Sequence, residues 1–105
     1  ALHQAGRLEE ALALFQANIE PTQRRGSAEK TRIAHWMVAW TLRGLKRLDE
    51  ALAIQLRLER ENDADKTPDP YVFEELAHLY RARQDGERAG FYDARLKATR
   101  TAAAP

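Results

Sequence analysis

The sequence predicts an all-α fold built from antiparallel helical hairpins stacked in series. Three observations carry that expectation. The first is an internal repeat. Gly6-Arg7-Leu8-Glu9-Glu10-Ala11-Leu12-Ala13-Leu14-Phe15 is matched by Lys46-Arg47-Leu48-Asp49-Glu50-Ala51-Leu52-Ala53-Ile54-Gln55. Gln84-Asp85-Gly86-Glu87-Arg88-Ala89-Gly90-Phe91-Tyr92-Asp93 matches more loosely. Aligned on Ala11, Ala51 and Ala89, the copies stand 40 and 38 residues apart. The second is period. Apolar residues recur at helical spacing, and nothing alternates with period two, so no strands are expected. The third is punctuation: each copy follows one apolar helical pattern and opens another, so the unit is helix, tight turn, helix.

The elements follow in order. Residues 1–5 read as the last turn of a first helix stopped by Gly6. Leu8, Leu12, Phe15 and Ile19 form one face of a second helix that ends near Pro21. Thr22 to Ser27 reads as a loop. Ser27 caps a third helix with Glu29 in its first turn. That helix carries Ile33, Trp36, Met37, Val38, Trp40, Leu42 and Leu45 almost all the way round, so it should be the most buried. Leu48, Ala51, Leu52, Ile54 and Leu56 make a fourth. Asn62 to Asp69 is a polar loop. Asp69-Pro70 then pairs a capping side chain with proline at the first helical position, where a missing N–H costs nothing. Tyr71, Phe73, Leu76, Ala77 and Tyr80 line a fifth helix. Residues 86–98 form a sixth, with Ala89, Tyr92 and Leu96 on one side.

A chain of 105 residues is one domain. It contains no cysteine, which removes disulfides and thiolate chemistry together. No apolar run reaches the roughly 18 residues of a membrane helix, and no signal peptide is evident. No membrane partner is expected, and the chain is assigned to the cytoplasm. Residues 59–75 are acidic between two basic stretches. They read as a solvated connector, or else as a patch that steers a basic partner.

These residues resemble the tetratricopeptide repeat (TPR) family. At its signature places the third repeat offers Phe73, Leu76, Ala77, Tyr80 and Ala89. The second offers His35, Val38, Ala39, Leu42 and Ala51. The first offers its second half only, with Ala11 and Phe15. The resemblance covers residues 1–100, about 2.5 to 3 repeats, and implies a short right-handed solenoid. It departs from the family in two ways. The family's period is about 34 residues, and the extra residues here are assigned to the Thr22–Ser27 and Asn62–Asp69 connectors. The family's closing proline is replaced by Asp63.

The resemblance also implies a function: a scaffold that binds a peptide or protein partner in a concave groove. Carried over, the groove positions are Ile33, Trp36, Trp40 and Arg43 in the second repeat. In the third they are Tyr71, Glu74, His78 and Arg81, and His3 is the survivor in the first. Trp36 and Trp40 are neighbours on one helix face, either core residues or binding anchors. The family's carboxylate clamp needs Lys and Asn where Trp36, Trp40, Glu74 and His78 stand, so chaperone-tail binding is not expected. The alternative is a structural or regulatory segment that packs against the rest of a larger protein or a second copy.

Other chemistries fare worse. Asp63, Asp65, Thr67 and Glu74 imitate a calcium loop, but Pro68 stands where that loop needs glycine. Glu75 and His78 make a single Glu-x-x-His pair where a di-iron bundle needs two, and Arg32 stands where a carboxylate would precede His35. No metal or cofactor is expected. Ser27 has no His or Asp at a meaningful spacing, and His3, His35 and His78 lie on separate helices, so no enzyme is expected. Arg24, Arg25, Lys30 and Arg32 form a short basic cluster without interleaved aromatics, so no nucleic acid is expected.

The chain ends carry two expectations. Residues 101–105 should be a disordered tail, leaving the sixth helix as its own cap, with Arg88, Asp93, Arg95, Lys97 and Arg100 exposed. The truncated first hairpin should leave Leu8, Leu12 and Phe15 partly open. That implies residues upstream of Ala1, or a homodimer through the N-terminal face.

Overall fold

A computed structural model describes residues 2–103 of the chain, which form five α-helices: α1 (Leu2–Arg24), α2 (Ala28–Gly44), α3 (Leu48–Ala64), α4 (Pro70–Ala82) and α5 (Gly86–Ala103). No strand occurs among the described residues. The all-α expectation holds. The expected six helices do not: the first two are one.

Gly6 does not stop the first helix. Glycine costs a helix interior only about 1 kcal/mol relative to alanine. A Cβ at Gly6 would meet nothing within 4 Å, so no packing bends the chain there. Pro21 does not end it either. It removes one amide donor, and it sits in the last turn of a helix that closes at Arg24. The Thr22 hydroxyl donates to the Ile19 carbonyl at 2.6 Å, and the Arg25 amide reaches the Pro21 carbonyl at 3.2 Å. The expected Thr22–Ser27 loop therefore shrinks to Arg25, Gly26 and Ser27. The Asn62–Asp69 loop likewise loses its first residues to α3. The residues assigned to those two connectors therefore lie partly in helix ends. At the other terminus, α5 continues to Ala103, through part of the segment expected to be a disordered tail. Positions 104 and 105, and the side chain of His3, lie outside the described residues.

The caps fall where the sequence places them. Ser27 accepts the Lys30 amide at 3.1 Å, and Asp69 accepts the Tyr71 amide at 2.9 Å with Pro70 opening α4. Asp85 accepts the Arg88 amide at 3.1 Å ahead of α5. The C-terminal ends share one device. Gly26, Lys46, Lys66 and Gln84 all take positive φ, at 72, 66, 57 and 62°. After α2, α3 and α4 the bonding is the same: Lys46 to Arg43 and Arg47 to Leu42, Lys66 to Asp63 and Thr67 to Asn62, Gln84 to Arg81 and Asp85 to Tyr80. Each is a Schellman closure, which satisfies the orphan carbonyls of the last turn. The four left-handed residues stand 20, 20 and 18 apart, half the sequence repeat.

The chain divides into two compact units, Ala1–Ile54 and Gln55–Pro105, with the boundary inside α3. In the first, α1 packs on α2. Leu12, Ala34, Val38, Ala39, Leu42, Ala51 and Leu52 are buried there. Gly44 allows α1 to approach α2 closely: its Cβ position lies 3.3 Å from Leu8 Cδ1. In the second unit α4 packs on α5. Leu58, Val72, Phe73, Leu76, Ala77, Leu79, Ala89 and Tyr92 are buried there. The helix expected to be most buried was the one now labelled α2. Instead α4 buries the larger side chains, Phe73, Leu76 and Leu79 among them, because part of the apolar surface of α2 faces outward.

Candidate functional site

The outward part of α2 is a ridge. Val38, Ala39 and Leu42 turn inward and are buried. Ile33 and Trp40 lie on the opposite side and are 53% and 42% exposed. Trp36 and Met37 are half-buried beside them. Ile33, Trp36 and Trp40 are spaced i, i+3 and i+7, so they form one stripe along the helix. The two indole rings lie 6.4 Å apart between centroids and 16° from parallel, close enough to hold each other in place. Arg43 continues the stripe and is half-buried.

The second set of expected groove residues lies on α4, in the other unit. Tyr71 is 62% exposed and His78 is exposed. Glu74 and Arg81 face α5. Arg100 Nη2 donates to Glu74 Oε2 at 3.0 Å, and Arg81 Nη2 donates to Asp93 Oδ2 at 2.5 Å. Their charges are satisfied inside the unit and fasten the α4–α5 hairpin. Such exposed pairs contribute about 0–1 kcal/mol each. A shallow hollow of about 420 Å³ on α5 is lined by Asp93, Leu96, Lys97, Arg100 and Thr101. Two of those side chains, Asp93 and Arg100, are already engaged in the same pairs.

The residues weighed as metal ligands are dispersed. Asp63 is approached by Arg95 at 3.4 Å, and Glu74 is held by Arg100. Glu75 is buried whereas His78 is exposed, so the two do not offer adjacent open ligands. Among the described residues no cluster of three His, Cys, Asp or Glu forms. No helix among them is long and apolar enough to cross a membrane.

Sequence reasoning missed a polar node in the second unit. The Tyr92 hydroxyl donates to Glu59 Oε1 at 2.8 Å, and Arg95 bonds Glu59 Oε2. Arg95 also lies over the Phe73 ring, 4.2 Å from its centroid, a cation–π contact. Burial, then the bond to Glu59, pushes the Tyr92 hydroxyl far above the usual tyrosine range. The node ties α5 to α3. Asp85 is held below the usual carboxylate range, first by the Arg88 amide and then by its guanidinium, as suits a helix cap.

No protein-family model matches the chain, and no curated protein or solved structure shows significant similarity to it. The site must therefore be read from its own geometry.

Proposed function

We propose that the chain is a helical-repeat protein of the tetratricopeptide kind that binds a protein or peptide partner. The repeat reading is supported by the four left-handed closures at a near-constant interval, and by Ala51 and Ala89 being buried at 0% and 1% exposure. Ala11, the third aligned alanine, is half-buried. One observation carries the binding reading: the Ile33–Trp36–Trp40 ridge. Scattered exposed apolar residues need no explanation, but a contiguous stripe with two tryptophans does. Trp is among the residue types that dominate binding hot spots. Of the expected groove, the α2 residues Trp36, Trp40 and Arg43 are the ones we assign to docking. On α4, in the other unit, Tyr71 and His78 are exposed, while Glu74 and Arg81 serve the hairpin.

The test is selection of a random displayed peptide library on the full chain, with retained sequences retested on Ile33→Asp. Ile33 is exposed, so the variant should keep its helical circular dichroism. Peptides that bind the parent and not the variant support the reading. Peptides indifferent to Ile33→Asp, or none at all, sink it.

A second reading has its own observation. Leu14, on α1, is 71% exposed, which favours packing against further structure or a second copy. Sedimentation velocity of the parent and Leu14→Glu separates it: a concentration-dependent dimer lost in the variant would favour this reading over a free scaffold.

A further inference from the structure

We draw no further inference here: the strongest candidate, the Ile33–Trp36–Trp40 ridge along α2 as a surface selective for one kind of partner, carries nothing beyond the reading above, because the cations beside it are engaged or offset within the chain and nothing in the structure shows what covers it.

Discussion

The Tyr92 hydroxyl donates to Glu59 at 2.8 Å and so joins α5 to α3 between partners 33 positions apart in the sequence. Arg95 braces the same carboxylate from the next turn of α5. Removing the hydroxyl alone leaves that ion pair in place. Tyr92→Phe should therefore cost about 1–2 kcal/mol, the worth of a hydrogen bond to a charged group after partial compensation. Urea titration measures it. A loss near zero would mean that Arg95 alone holds Glu59.

The same residue sets a pH signature. The folded Tyr92 hydroxyl is held above its ordinary value by burial and by Glu59. The folded state therefore keeps a proton that the unfolded state loses above a pH of about 10. The stabilisation is complete below that pH and falls away as pH rises through the alkaline range. The difference in stability between the parent and Tyr92→Phe should shrink above about pH 10. A difference that stays constant into strong alkali would contradict the assignment.

How much of this was legible beforehand depends on the range of the interaction. The caps at Ser27 and Asp69-Pro70 were readable because a cap is local chemistry. Gly6 and Pro21 misled because each is only a statistical stop. Gly6 has no crowding around it, and Pro21 sits where one lost donor is cheap. The Trp36–Trp40 pair was legible as a pair, but its exposure was not, since burial of one helix face depends on what packs behind it. The Glu59, Tyr92 and Arg95 node was invisible because it forms across helices. Only the topology brings 59 beside 92 and 95.

Burial at the aligned alanines makes a graded prediction. Ala51 is 0% exposed and Ala89 1%, whereas Ala11 is half-buried. Ala51→Leu and Ala89→Leu should each destabilise by about 1–3 kcal/mol through overpacking. Ala11→Leu should cost less, since its side chain can reach solvent. Equal losses at all three, measured by thermal unfolding, would show that the three copies share one environment.

Gln55 gives a prediction of opposite sign. Its side chain is 0% exposed, and among the described residues neither its amide oxygen nor its nitrogen has a hydrogen-bond partner. Each such buried group carries a desolvation cost of about 1–3 kcal/mol. Methionine matches the length and flexibility of glutamine without the polar atoms. Gln55→Met should raise stability by about 1–2 kcal/mol, and Gln55→Glu, which would bury a charge, should lower it. A destabilised Gln55→Met would mean that the amide meets an ordered water.

The helix closures supply the last test. Lys46, Lys66 and Gln84 hold left-handed backbone that costs a side-chain-bearing residue about 1 kcal/mol relative to glycine. Gly26 occupies the equivalent place after α1 with φ of 72° and no such cost. Its position is otherwise open, so any penalty on adding a Cβ there comes from the backbone and not from a clash. Lys46→Gly, Lys66→Gly and Gln84→Gly should each stabilise by a few tenths to about 1 kcal/mol, the strain relieved less the extra entropy of an unfolded glycine. Gly26→Ala should destabilise by about 1 kcal/mol. Denaturant midpoints that rise for the three glycine variants and fall for Gly26→Ala would establish one closure used four times. A set with mixed signs would mean that these turns only share φ, and the 20-residue interval would lose its physical basis.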